Sequence, residues 1–459
     1  MELFIHPLVA RHASDKYLIY RPLIGLAFVG NQAMAKICQG IADGTIEMDS
    51  LAAKVQTFLQ TIGFLSPDPA IPSLPKDDEF SPTMAVLLMT NRCQLRCVYC
   101  YAAAGESPPQ DLPLEIGKTA IDIVHENAQQ KGLTVFDVSF HGGGEPTLVW
   151  KTMQACTEYA RKKPLQARVT LTSNGIWSKS QGEWITSNLD GLSLSMDGRP
   201  ESQNRQRPFA RRGDSFPIVW RNIMDLDRKN FEYGIRLTAT PPWENLPKDI
   251  EFLCKETGCK RFQVEPTFHI LRGSHGDPQR GDGQPFVDAF LLALEIAEES
   301  GRELMYSGAR LGHINYTFCT APYGALIVNG KGEVVSCYEL AGAQHPMERI
   351  SVFGTIRPGA LELDLPVRKR LLALLKRRRE SCRDCFCYWS CAGDCYVRAL
   401  PGPQTEPAYR GERCVINRTL TVSLILKEIA SNGGVWKLPY LDSRFQICRK
   451  KGEIKNVLL

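Results

Sequence analysis

No apolar run in this 459-residue chain approaches the roughly 20 residues that a bilayer-spanning helix needs. The N-terminus, MELFIHPLVARHASDKYL, lacks the basic start, apolar core and small-residue cleavage site of a secretory signal, so the expected location is the cytoplasm. Internal repeats and low-complexity tracts are missing too. Charge of one sign is scarce: a net +5 over this length implies neither nucleic acid nor a membrane as partner. With 43% hydrophobic and 23% charged residues the composition is ordinary for a soluble protein, and the length calls for two or three domains. Cysteine is the exception. Sixteen of them in a chain with no export signal fit disulfides poorly, because the cytosol keeps thiols reduced; metal ligation and catalysis are the readings left.

The texture of the chain changes twice. Alternation in Lys16–Tyr20 and Gly25–Val29, separated by Arg21-Pro22-Leu23-Ile24, predicts a β-hairpin. Helices are expected near Gln32–Gly40 and Asp49–Gly63, and the proline-rich stretch Ser66–Lys76 reads as a linker. From about Met84 the pattern alternates strand and helix, with strands near Ala85–Met89, Thr134–Phe140, Arg168–Thr172, Gly191–Ser195, Tyr233–Thr238 and Arg261–Glu265. Six alternations predict an α/β fold with a parallel sheet, open or part of a barrel, with its chemistry at the carboxyl ends of the strands. A helix near Pro285–Ser300 precedes a cysteine-rich stretch from Cys319 to Cys414, and a helix at Leu420–Ser431 precedes a polar tail. The run Arg368–Arg379 alternates basic clusters with an apolar turn, as an amphipathic surface helix does. It is a solvated face or, on a sharper reading, a dock for an acidic peptide; without interleaved aromatics it does not support nucleic-acid binding.

Directly after the first strand of the alternating region comes Cys93-Gln-Leu-Arg-Cys97-Val-Tyr-Cys100. Three thiolates on one loop can hold a cubane iron–sulfur cluster and leave one iron without a protein ligand; a zinc knuckle would use the same residue types. The second strand of that region ends in Phe140-His-Gly-Gly-Gly-Glu145-Pro146, where glycines let the backbone approach a ligand and a carboxylate can receive an ammonium group. Cys319, Gly332 and Cys337, then Cys382, Cys385, Cys391, Cys395 and Cys414, complete a second pattern.

This order of motifs resembles the radical S-adenosylmethionine (SAM) enzymes, and the seven C-terminal cysteines resemble their SPASM extension. The resemblance implies a partial (β/α)6 TIM-like barrel at 81–305, a C-terminal α+β SPASM domain at 306–459 and an N-terminal winged-helix-like, PqqD-like peptide-recognition domain at 1–80. Cys93, Cys97 and Cys100 would ligate a SAM-binding [4Fe-4S] cluster. Gly143, Gly144, Glu145 and Pro146 match the GGEP motif that contacts the methionine amino group, and Tyr99 stands where relatives meet adenine. Asn174, Ser195 and Arg207 are the expected ribose and carboxylate contacts, although Gln203-Asn204 replaces the His-Asp pair that many relatives carry before this arginine.

The same resemblance assigns one auxiliary [4Fe-4S] cluster to Cys319, Cys337 and Cys395, short of one ligand unless an iron stays open or His313 completes it. A second falls to Cys382, Cys385, Cys391 and Cys414. Cys38, Cys156, Cys254, Cys259, Cys387 and Cys448 are left as small hydrophobes. The implied activity is a 5′-deoxyadenosyl radical abstracting hydrogen from a residue of a ribosomally made peptide or protein, most simply to form an intramolecular thioether, C–C or C–O crosslink. The N-terminal domain would bind the substrate, and a flavodoxin- or ferredoxin-type protein would supply electrons. Two competitors are formylglycine formation in a sulfatase, with Glu339 as base although relatives place an aspartate at the Tyr338 position, and an electron carrier or cluster scaffold.

Overall fold

The computed structural model describes residues 1–8, 15–71, 79–267, 272, 281–340, 348–398 and 411–438. Strands β1 (Phe4–Pro7), β2 (Lys16–Arg21) and β3 (Leu26–Asn31) precede helices α1 (Gln32–Ala42) and α2 (Ala53–Thr61). The hairpin turns through a 3-10 segment, Pro22–Ile24, closed by Gly25 at φ 59°, where a residue without a Cβ avoids strain. Asn31 then starts α1 by accepting the Met34 N–H at 2.9 Å. Arg21, only 1% exposed, reaches from the hairpin to the backbone oxygens of Phe64 and Ser66 and to the Asp68 carboxylate, tying the start of the proline-rich stretch to the sheet.

The alternating region follows as β4 (Met84–Leu88), α3 (Leu114–Gln130), β5 (Val135–His141), α4 (Trp150–Arg161), β6 (Gln166–Ser173), α5 (Lys179–Asn188), β7 (Gly191–Ser195), α6 (Pro200–Gln206), α7 (Phe216–Arg228), β8 (Tyr233–Ala239), α8 (Asn245–Glu256), β9 (Arg261–Pro266), α9 (Gly283–Glu299) and β10 (Glu303–Met305). Every strand pairs in parallel with the one before it in sequence. The six expected strands are all present, each within two residues of its predicted ends, and β10 adds a seventh of three residues. A continuous core of Leu87, Phe136, Phe140, Leu171, Leu194 and Phe262 with the helix residues packed on them holds the layers together, as expected of a sheet covered by crossover helices.

Cysteine-rich chain then adds α10 (Ala321–Gly324), β11 (Ala325–Val328), β12 (Glu333–Val335), α11 (Glu348–Ser351), β13 (Val352–Arg357), β14 (Ala360–Leu363), α12 (Leu365–Glu380), α13 (Glu412–Ser431) and β15 (Val435–Lys437). Among the described residues it builds no separate sheet: β11 pairs in parallel with β4, and β12, β13 and β14 continue antiparallel. The result is one open sheet of eleven strands, β10-β9-β8-β7-β6-β5-β4-β11-β12-β13-β14. β15 returns to the N-terminal sheet beside β3, giving the order β1-β2-β3-β15. No described helix is long and apolar enough to cross a membrane. Cys448 and the polar tail beyond 438 lie outside the described residues.

Candidate functional site

The thiol loop and the glycine loop are two neighbouring strand ends locked to each other. Gly144 donates its N–H to the Thr90 carbonyl and Glu145 to that of Arg92, each at 2.8 Å. A Cβ on Gly144 would stand 2.0 Å from the Arg92 oxygen, so this contact admits glycine alone. Arg96 fastens the thiol loop from the other side, donating to the carbonyls of Cys93, Leu95 and Gly105 at 2.8–3.0 Å.

Glu145 lines the cavity and anchors its carboxylate on neighbouring strand ends. It is 1% exposed. Oε1 accepts from Thr147 N, Thr147 Oγ1 and Ser173 Oγ, and Oε2 from Asn174 N at 2.8 Å. Burial pushes this carboxyl up while those donors hold it down. These bonds join the ends of β5 and β6.

Asn174 is 6% exposed and donates from Nδ2 to Cys93 Sγ at 3.6 Å. Tyr99 donates its phenol proton to Asp197 and accepts from Arg207 Nη1 at 2.8 Å. Gln203, fully buried, accepts the Asp197 N–H at 2.9 Å and donates to Ser215, while Asn204 accepts from Phe216 N. The pair that departs from the family pattern therefore braces the loop under Arg207.

One cavity of about 320 Å³ collects these groups: Cys93, Cys97, Cys100, Tyr99, Gly142–Glu145, Asn174, Ser195 and Arg207 all line it. Cys319, Cys337, Cys395 and Glu339 line the same cavity. Pro146 is buried just behind, opening the short 3-10 turn Pro146–Val149. His313 is exposed and is not among the lining residues. Cys382, Cys385, Cys391 and Cys414 lie apart from the cavity and close enough to feel one another's charge; Asn417 Nδ2 donates to Cys391 Sγ at 3.4 Å. Cys387 is 2% exposed and packs with Leu18, Tyr20 and Ile425.

Among the described residues no three or more His, Cys, Asp or Glu side chains gather as ligands of a single metal ion. The thiols instead surround a space. Burial pushes the thiols of Cys93 and Cys395 up to about 12 and those of Cys97 and Cys414 up to about 11, so ligation has to draw off protons that burial retains. A glycine cradle beside three convergent thiols fits a cluster-bound small molecule.

Arg398, Glu265, His141 and Arg236 are among the lining residues that escaped the sequence reading. Arg398 grips Glu339 with two nitrogens, Nε at 2.8 Å, and reaches Glu265 at 3.4 Å. His141 stacks on Tyr338 with ring centroids 4.9 Å apart; burial and Arg236 hold its imidazole down to about 4, hence neutral. Glu265 and His141 sit at strand ends, a signal that could have singled them out. Arg398 and Arg236 carried none.

Residues 87–253 match the model of the Radical SAM superfamily. The sporulation killing factor maturation protein SkfB of Bacillus subtilis is 24% identical over 57% of this chain and 61% of its own length. The Fe-coproporphyrin III synthase of Methanosarcina barkeri is 27% identical over 68% and 82%. The chain thus spans about three-fifths of the first relative. In fold it is similar to anSMEcpe, solved with bound AdoMet (TM-score 0.60, 18% identity, 76% of this chain and 99% of that one). It is also similar to Streptococcus suis SuiB bound to precursor peptide SuiA (TM-score 0.51, 16% identity, 90% and 100%). Motif order, strand-end geometry and family match point the same way: residues 87–253 are similar to the Radical SAM superfamily.

Proposed function

We propose that the chain is a radical SAM enzyme that modifies a residue of a ribosomally made peptide or protein, forming an intramolecular crosslink. The observation that carries this reading is the shared cavity: Cys93, Cys97 and Cys100 line it together with Cys319, Cys337 and Cys395. A substrate held between them touches both halves of the chemistry.

Cys93, Cys97 and Cys100 would hold a SAM-binding [4Fe-4S] cluster, Cys319, Cys337 and Cys395 a second cluster, and Cys382, Cys385, Cys391 and Cys414 a third. Bound there, the first cluster supplies the electron that cleaves SAM to methionine and a hydrogen-abstracting 5′-deoxyadenosyl radical. The chain's own groups do the rest. Gly142–Gly144 allow close backbone approach, Tyr99, Asn174, Ser195 and Arg207 present polar atoms to the cosubstrate, and the walls keep water from a reactive species.

A peptide substrate is supported by the name of SkfB, a maturation protein, and by the precursor peptide bound to SuiB. The N-terminal sheet is the part suited to hold a leader by strand addition, the winged-helix-like recognition domain of the PqqD type. With β3 paired on both sides, its longer open edge is β1. The cysteine-rich region at 306–459 is the SPASM part.

A second reading is favoured by Glu339, which stands in the cavity beside Cys337: oxidation of a substrate Cys or Ser side chain to an aldehyde with this carboxylate as base. Mass spectrometry of the short peptides encoded beside the gene, after anaerobic co-expression, separates the two. Loss of two hydrogens from a peptide closing a ring supports crosslinking, and exchange of a thiol for an aldehyde oxygen supports the second reading. Unmodified peptides together with turnover of a porphyrin carboxylate would contradict both.

A further inference from the structure

Helix α12 sorts its residues into two faces. Val367, Arg368, Leu371 and Leu372 are buried, and Arg368 lies over the Phe80 ring at 4.9 Å. Lys369, Arg370, Lys376 and Arg377 are exposed. At about 100° per residue these four occupy one sector of the opposite side, spread over about 10 Å of helix axis, with the exposed Glu380 at its C-terminal end. A chain of net charge +5 concentrates four cations here.

The C-terminal part of the same helix borders a pocket. A narrow pocket of about 50 Å³ is lined by Lys376, Arg378, Arg379 and Tyr316 and by Cys319, the same cysteine that lines the main cavity. Arg379 sits over the rings of Tyr388 and Trp389 at 4.1 and 5.0 Å. The helix ends at Glu380, two residues before Cys382, the first cysteine of the other set. The C-terminal end of α12 thus adjoins a cysteine of each C-terminal set, Cys319 across the narrow pocket and Cys382 just past the helix end, while none of the four cations lines the 320 Å³ cavity. A peptide to be modified has to reach that cavity; an electron carrier has only to approach the cysteines.

We propose that the exposed face of α12 formed by Lys369, Arg370, Lys376 and Arg377 docks an acidic, low-potential one-electron carrier protein at the C-terminal cysteine sets. The proposal rests on the iron–sulfur reading above. In each productive encounter an anionic flavin hydroquinone on the carrier becomes the neutral semiquinone, and the one electron released reduces one cluster held by this chain. Complementary charge speeds and orients such encounters and makes them sensitive to salt.

The test uses the full chain, reconstituted anaerobically, and a flavodoxin as probe. Binding of oxidised flavodoxin is measured against ionic strength, then oxidation of its hydroquinone in stopped flow, then 5′-deoxyadenosine formation with flavodoxin and, separately, with dithionite. In K369E/R370E/K376E/R377E, flavodoxin binding weakens by about tenfold or more at low salt, its salt dependence disappears, hydroquinone oxidation slows in step and the dithionite rate is unchanged. The milder K376Q/R377Q shows the same direction and decides the matter if the quadruple variant does not fold. Equal flavodoxin binding by wild type and either folded variant overturns the proposal, as does a reversal that raises only the KM of a peptide substrate, which would make the face a peptide dock. Loss of 5′-deoxyadenosine with both reductants in the wild type would sink the radical SAM reading instead, and the binding measurement would still judge the dock.

Discussion

Arg207 Nη1 donates to the phenol oxygen of Tyr99 at 2.8 Å, and the same phenol donates to the Asp197 carboxylate. The hydroxyl therefore bridges a buried cation and a buried anion directly behind the Cys97–Cys100 turn. Asp197 also accepts the Thr238 N–H at 3.0 Å, so the triad ties the thiol loop to β7 and β8. Tyr99→Phe removes the bridge without removing the ring. Stability falls by about 1–3 kcal/mol, read as a lower melting temperature, iron content stays at the wild-type level, and SAM binding weakens by about tenfold.

Gly144→Ala tests the lock between the two loops. The added methyl would meet the Arg92 oxygen at 2.0 Å, and backbone cannot yield as a flexible side chain can. SAM binding by equilibrium dialysis is lost beyond about a hundredfold, while circular dichroism keeps its wild-type shape because the sheet core is untouched.

The proposed ligand sets predict different outcomes for different cysteines. Cys319→Ala lowers bound iron and abolishes product while 5′-deoxyadenosine still forms, because Cys319 lines the cavity but belongs to the second proposed ligand set. Cys387→Ala leaves bound iron unchanged and costs about 1 kcal/mol, because that thiol packs against Leu18 and Tyr20 in an apolar cluster. Iron analysis beside product analysis distinguishes the two variants.

Arg398 and Glu339 are coupled. Removing the arginine alone, in Arg398→Gln, leaves two carboxylates, Glu339 and Glu265, facing each other without their cation and destabilises by about 1–3 kcal/mol. The double variant E339Q/R398Q recovers part of this loss, a non-additivity measurable by denaturant titration.

Much of this was legible in the chain. Strand periodicity located six of the seven parallel strands of the alternating region, missing only the three-residue β10, and the motifs fell at the carboxyl ends of the six. The hydrogen-bond partners of Glu145 were not legible, because only the fold brings Ser173 and Asn174 beside it. Nor was the pairing of β11 with β4, some 240 residues apart in sequence, since strand partners so distant leave no local signal. Arg398, three residues past Cys395, gave no hint of its place because only the fold brings it to Glu339 and Glu265.

The most direct measurement is 5′-deoxyadenosine released by anaerobically reconstituted, dithionite-reduced protein given SAM, compared with its C93A/C97A/C100A variant. The radical SAM assignment predicts release by the first and none by the second. Equal release by both, or none by wild-type protein carrying its full iron, would contradict it.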